Sequence, residues 1–393
     1  MSQHSSRRAS LSALTAAALA LPGLARAELQ TDYLYSHYQE GDLPADRSAS
    51  GKSSERYTVD SHLFRLAAPV ADNVAQLDLT YETMSGASPW WVQPDANGKP
   101  VQVMSGASIS DHRIDGELSY GLPLGGVDWG LRLGYSAERD YRALHSGVEA
   151  QYTPETKDFT LSGGIGYSAD RVEPTDGGSA KYPTRIVSAN RKGLTAYGGV
   201  SWVLRPQTTV QTSLSYARDS GFLSDPYKEA YVVAAAGTVA DSRPDGRQSW
   251  ALSGKLRHYV SRMGLALRVD YRLYHDDWRT TSHTLELGVD KTLGETWRVS
   301  PSLRWYSQSQ AYYYAPYYNG FRSDGFASSD YRLSPYGALS GRVDVRKALG
   351  EWELGGGVEY YDASGHYALK KVEMENPGLL SYWIVNLRLG YRF

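Results

Sequence analysis

The chain has no cysteine among its 393 residues, which excludes a disulfide framework, a thiol nucleophile and a thiolate metal site. Phenylalanine is scarce, 6 residues against 31 tyrosines and 10 tryptophans. The formal charge is only −2, so a nucleic-acid binder driven by a large basic excess is excluded. Past residue 27 there is no apolar run of roughly eighteen residues, the length a helix needs to cross a bilayer. A protein that crosses with strands is still allowed, because a transmembrane barrel shows lipid only alternate residues and keeps its lumen and loops polar. An excess of Tyr and Trp over Phe is what girdles at two membrane–water interfaces require, their rings being apolar and their tips wet.

What is present is most concentrated at the C-terminus. Trp383, Val385, Leu387, Leu389, Tyr391 and Phe393 take alternate positions, with Asn386, Arg388, Gly390 and Arg392 between them. Side chains alternate across a strand, so one face is apolar and the other polar and cationic. A soluble edge strand of this kind would invite aggregation; in lipid, paired on both sides in a closed barrel, it is stable. Leu389, Tyr391 and Phe393 resemble the terminal assembly signal of bacterial outer-membrane barrels. That resemblance implies outer-membrane lipid and the barrel assembly machinery as partners.

The N-terminus reads as an export signal. Arg7 and Arg8 precede the Ala/Leu run Leu11 to Leu24, and Ala25-Arg26-Ala27 has the form of a cleavage site. Residues 1–27 are expected to be removed, leaving 28–393 as a single domain. Ser6 to Leu11 loosely resembles a twin-arginine signal, but an ordinary basic leader suits a barrel exported unfolded.

After Glu28 about sixteen alternating segments can be counted, with fourteen to eighteen allowed because Tyr141–Tyr152 and Tyr331–Arg346 are weakly patterned. Clear apolar rows include Leu77, Leu79, Tyr81; Trp129, Leu131, Leu133, Tyr135; and Trp352, Leu354, Val358, Tyr360. Alternate connections are turn-like, as at Pro69–Asn73, Arg205–Gln207 and Leu293–Glu295. Most of the others are long: Gly41–Ser54, Ser85–Ser108, Asp170–Arg191, Asp219–Arg247, Gln308–Asp330 and Asp362–Leu379, with tight exceptions near Arg139 and Asp276. This asymmetry predicts an all-β, antiparallel up-and-down transmembrane barrel with both termini on the periplasmic side. Two secreted sandwiches are the competing fold, but their cores would favour Val and Ile over Trp and Tyr.

The positions complementary to the apolar rows should line the lumen. Early segments contribute Asp60, Asp78, Glu82, Asp115 and Glu117, relieved by His62 and Arg113. Later ones contribute Arg257, Arg268, Arg272, Arg304, Arg342, Arg346 and Arg388, among others, with Asp270, Glu286, Asp290, Asp344, Glu353 and Glu359 interspersed. The pattern predicts an acidic wall facing an arginine-rich one, giving either a transverse field across an open pore or Arg–carboxylate pairs bridging the lumen.

The chemical motifs are sparse. His275, Asp276, Asp277 and His283 could ligate a divalent ion, yet read better as a tight hairpin. Asp219, Asp225, Asp241 and Asp245 lack calcium-loop spacing and read as turn and cap residues. Tyr312, Tyr313, Tyr314, Tyr317, Tyr318, Phe321 and Phe326 read as loop packing ahead of a ligand-stacking surface. Ser282, His283 and His62 form no nucleophile, base and orienting group in sequence order. No catalytic, metal or cofactor site is expected.

The segments Asp219-Ser220-Gly221-Phe222-Leu223-Ser224-Asp225-Pro226-Tyr227-Lys228, Arg243 to Arg247, Tyr271 to Trp278 and Arg304 to Tyr314 resemble a bacterial outer-membrane family, domain-of-unknown-function family 3570. The resemblance implies a barrel without an assigned activity, encoded in many cases near small lipoproteins and flavin-transfer enzymes of electron transfer. The reading that follows is a pore or transporter for small polar solutes. The alternative is a sheath or docking scaffold for a small lipoprotein partner, and an enzyme is third.

Overall fold

The computed structural model describes residues 29–71, 73–105 and 109–393; the expected signal segment 1–27 lies outside them. The strands are β1 (Gln30–Glu40), β2 (Thr58–Val70), β3 (Asn73–Gly86), β4 (Pro89–Pro94), β5 (Pro100–Met104), β6 (Ile109–Leu124) and β7 (Val127–Ala137). Next come β8 (Tyr141–Tyr152), β9 (Phe159–Val172), β10 (Ala189–Arg205), β11 (Thr208–Gly221), β12 (Glu229–Val232), β13 (Gly237–Ala240) and β14 (Gly246–Val260). The last are β15 (Leu265–Asp276), β16 (Thr281–Leu293), β17 (Trp297–Gln308), β18 (Tyr336–Leu349), β19 (Trp352–Ser364) and β20 (Ser381–Arg392). Sixteen of them form one closed antiparallel barrel in chain order, while β4–β5 and β12–β13 are separate two-stranded hairpins. The ring closes where β1 meets β20, in register from Gln30 opposite Arg392 to Glu40 opposite Tyr382. Closure leaves no strand of the barrel with an unpaired edge.

The apolar rows form the outer face. Leu118, Leu133, Ile165, Leu303 and Leu387 are each more than half exposed, a continuous aliphatic belt that a water-soluble surface does not carry. Aromatic rings bound it at both ends. Trp352 packs at a tilt against Tyr391 at one end, and Tyr360 against Trp383 and Tyr216 against Trp250 at the other, with ring centroids 4.5–4.6 Å apart. From Trp352 to Tyr360 the strand runs about 27 Å at ~3.4 Å per residue, the order of a ~25 Å apolar band once strand tilt is allowed for.

Both described termini lie at the end with the short turns. At the other end lie the connections 41–57, 173–188, 222–245, 309–335 and 365–380, and the β4–β5 hairpin. The weakly patterned segments resolve as β8 and β18, the latter starting at Tyr336 rather than Tyr331. The connection expected over Asp219–Arg247 is shorter than its sequence pattern suggested. Asp219 and Gly221 extend β11, Gly246 and Arg247 open β14, and the apolar stretch near Tyr231 pairs as β12–β13.

The four clusters of buried apolar side chains sit at the long-loop end, around Tyr313 and Trp278, Tyr331 and Leu379, Tyr57 and Met84, and Val232 and Tyr318. The barrel's own apolar surface faces outward, and the loops supply the dry core.

Candidate functional site

Of the residues expected in the lumen, Asp78, Glu82, Asp115, Arg257, Arg268, Arg272, Arg304, Arg342, Arg346 and Arg388 fall on the inward face, opposite in parity to the exposed Leu79, Leu118, Leu267, Leu303, Val343 and Leu387. Asp60 does not. It pairs in register with His37 and Thr83 and shares the outward face with Phe64 and Tyr81, as does His62. One residue of parity separates the lumen from lipid in a strand, and β2 places Ser61 and Arg65 inward instead. Asp60 accepts hydrogen bonds from Tyr35 Oη at 2.6 Å and His37 Nδ1 at 2.8 Å, in the aromatic belt near the long-loop end.

The expected division into an acidic and a basic wall also fails. Asp78 pairs with Arg65 at 2.6 Å, Glu82 with Arg113 at 2.8 Å, and Asp115 with the same Arg113 at 3.4 Å. On the far side Arg257 pairs with Asp270, Arg268 with Asp290 at 2.9 Å, Arg342 with Asp344 at 2.6 Å, Arg346 with Glu353 at 3.7 Å, and Arg388 with Asp32 at 2.8 Å. These partners are on the same or the adjacent strand, so each wall offsets its own charge and the pairs run along it instead of bridging the lumen.

Glycine makes the flat arrangement possible. Asp32 and Glu353 face Gly390, Arg132 faces Gly147, His145 faces Gly134, Arg268 faces Gly288, Asp344 faces Gly357, and Arg346 and Arg388 face Gly355 across the ladder. With no side chain opposite, a long polar group can lie against the backbone. His145 crosses Gly134 to reach Glu117 at 3.1 Å, and Tyr197 crosses Gly164 to donate to Glu149 at 3.1 Å. Among the described residues, Arg272 and Arg304 have no carboxylate within ion-pair distance; Arg272 instead lies 5.7 Å from the Tyr274 ring centroid.

The long loops interlock. Lys228 Nζ donates to the Pro89 carbonyl at 3.0 Å, joining connections six strand positions apart round the ring, so the contact passes over the mouth. Val92 N donates to Ser329 Oγ at 3.3 Å, Asn376 Nδ2 to Tyr314 Oη at 2.8 Å and to the Ser329 carbonyl at 3.0 Å, and Arg56 to the Gly378 carbonyl at 3.2 Å. Val92, Tyr313, Ser328 and Asn376 are fully buried. The loops thus form a packed cap.

The residues carrying the family resemblance are the hub of that cap. Asp219 pairs with Arg191 at 2.9 Å. Gly221 has φ +100°, and a side chain there would strike the Asn190 carbonyl, to which Phe222 N donates. Leu223 packs on the cluster around Tyr313, Pro226 accepts from Arg185 at 3.2 Å, and Tyr227 Oη donates to Asp140 at 2.6 Å. Asp225, Asp241 and Asp330 interleave with Lys228, Arg243 and Arg332: Arg332 reaches Asp225 at 3.0 Å, and Arg243 reaches Asp241 at 2.7 Å and Asp330 at 2.9 Å. Burial opposes the charge of Asp330, yet Arg332, Lys228 and Arg243 hold its carboxyl well below the usual range. Burial lowers Lys228 and raises Asp241.

At the β15–β16 connection His283 lies opposite Leu273 and not His275, and Asp276 closes the turn by accepting from Thr280 N at 2.8 Å. Tyr313, Tyr314 and Tyr318 are core of the cap, while Phe321 is exposed. Sequence reasoning missed the glycine-opposite-charge rule and the six-residue ion network. The first was visible as glycines in phase with the inward charges; the second depends on loop contacts that no local pattern encodes.

In solved structures the fold resembles a bacterial polysaccharide outer membrane secretin (10% identity, TM-score 0.49, 93% of this chain and 98% of that one). It also resembles CdiB from Acinetobacter baumannii (8%, 0.50, 93% and 60%) and the outer membrane protein opdK from Pseudomonas aeruginosa (9%, 0.40, 93% and 99%). At these identities the likeness is one of fold alone. No curated protein matches in sequence. Residues 11–384 match the family described as protein of unknown function (DUF3570), nearly the whole chain, and the protein belongs to that family.

Proposed function

We propose that the protein is a gated barrel of the bacterial outer membrane that passes small polar solutes, with its short turns and termini in the periplasm and its cap outside. The observation that carries this reading is the lumen wall: its charges lie flat against glycines, and among the described residues their ion pairs run along the wall and none crosses the lumen. The cap is then the gate, and the unpaired Arg272 and Arg304 give the passage a local preference for anions.

A second reading is favoured by the tightness of the cap. A barrel closed at one end by packed loops and bounded at the other by connections of six residues or fewer is also a cup, suited to a small periplasmic lipoprotein that enters from below.

The chain lacks cysteine, so one introduced pair tests both. Ser242 and Ala327 exchange backbone hydrogen bonds of 2.8 and 2.9 Å between two cap loops, a pairing with Cα atoms about 5.5 Å apart and within disulfide reach. In planar bilayers S242C/A327C should conduct when reduced and be silent when oxidised. Silence of the folded wild type and of the reduced pair would remove the pore and leave the cup.

A further inference from the structure

Apart from the lumen and the ion network, three carboxylates meet at the long-loop rim. Asp111 is near the start of β6, and Glu138 and Asp140 belong to the tight connection between β7 and β8. One oxygen from each lies within 4.8 Å of the others. Asp111 and Asp140 are 5% and 1% exposed, so little solvent screens their repulsion.

For Asp111 and Asp140 the hydrogen bonding is incomplete in a directed way. Asp111 Oδ1 accepts from His112 N at 2.8 Å, and Asp140 Oδ2 from Tyr227 Oη at 2.6 Å. Asp111 Oδ2 and Asp140 Oδ1 are buried and accept nothing. The nearby Arg113 is engaged by Glu82 at 2.8 Å and Asp115 at 3.4 Å. A cavity of about 10 Å³, lined by Asp111, Glu138, Glu82, Met84 and Arg113, lies beside two of the three carboxylates; that is the space of one water or one ion. A buried carboxylate oxygen without a donor is an unmet demand for positive charge.

We propose that Asp111, Glu138 and Asp140 bind one hard divalent cation of the calcium class. All three donors are oxygen, the preference of such an ion, and oxygens about 2.3–2.6 Å from a shared calcium lie at most ~5 Å apart, as here. Water in the adjoining cavity completes the shell. The site is independent of whether the barrel conducts. Its consequence is mechanical: Tyr227 Oη, bound to Asp140, also accepts from Thr175 N at 2.8 Å, so one ion ties β6, the β7–β8 connection and two cap loops together.

Terbium(III) tests this on the folded, chelator-treated protein in detergent, because tyrosine excitation reaches a bound lanthanide and Tyr227 touches the site. A saturable one-to-one signal displaced by calcium is expected, with affinity falling tenfold or more in Asp111→Asn and in Asp140→Asn but not in the exposed Asp324→Asn. Heat-modifiable gel migration identifies the folded variants, and calcium titration calorimetry of the wild type gives a readout independent of them. No saturable binding to folded wild type by either method, or binding unchanged in both carboxamide variants, overturns the proposal. So does an infrared band of a protonated acid at neutral pH that disappears in Asp140→Asn, which would put a proton where the cation is placed.

Discussion

The imidazole of His145 occupies the space that a side chain at Gly134 would fill, and from there reaches Glu117 two strands away at 3.1 Å. Gly134→Leu should therefore turn the ring into the lumen and break that bond. The expected result is lower single-channel conductance with folding retained, at a cost of about 1–3 kcal/mol for the lost charged hydrogen bond, read from the urea midpoint of refolding. Unaltered conductance would show that this part of the wall does not limit the passage.

Not all lumenal arginines should matter equally. Arg268 is offset by Asp290 at 2.9 Å, whereas Arg272 and Arg304 have no such partner among the described residues. Salt with a Debye length of about 10 Å at 0.1 M screens a narrow lumen incompletely. Arg272→Glu with Arg304→Glu should shift reversal potentials towards cations, and Arg268→Gln much less. If Arg268→Gln shifts them as far, local offsetting does not set selectivity.

Asp330 faces three cations in the cap. Asp330→Asn leaves them under-compensated and should weaken the cap by about 3–5 kcal/mol, the cost of breaking a buried pair from one side. Added protease should then cut within 222–245 or 309–335 in intact cells while sparing the wild type. Because its folded pKa is depressed, the contribution of Asp330 is complete above the ordinary carboxylate value of about 4 and is lost as pH falls below it. Asp241, raised by burial, acts in the opposite sense. Protection should hold from pH 8 to about 5 and fail in stronger acid. Failure already near neutrality would point to another group.

The fold was largely legible because lipid imposes its own alternation. Leu77, Leu79 and Tyr81 need a lipid-facing row whatever the loops do, and strand number and turn parity follow from counting such rows. Asp60 was misplaced because β2 has polar residues on both faces near its end, Ser61 inward and His62 outward, so hydropathy carries no phase there. The cap was illegible for a different reason. Lys228 meets Pro89 at 139 residues' separation and Arg332 meets Asp225 at 107, pairings fixed by the ring and not by anything near them in sequence.

Assembly gives a separate test. Phe393 N donates to the Leu29 carbonyl at 2.9 Å and its ring stands edge-on to Tyr391, while Phe326 packs against Tyr313 in the cap. Deleting Phe393 should lower the amount of heat-modifiable protein in the outer membrane several-fold. Phe326→Ser should leave that amount intact and expose the cap to protease. Equal losses in assembled protein would remove the special role of the terminus.

Asp32 and Arg388 pair at 2.8 Å although 356 residues separate them. The bond from Phe393 N to the Leu29 carbonyl and that from Arg56 to the Gly378 carbonyl join the same first and last segments of the chain. Joining β1 to β20 fixes a register between the first and the last strand, and so needs the whole chain. A slip of one residue would turn Trp383, Leu387 and Leu389 towards the lumen and Arg388 outward. A slip of two keeps the faces but parts the ion pair. The ion pair thus distinguishes the observed register from the others that keep the same faces.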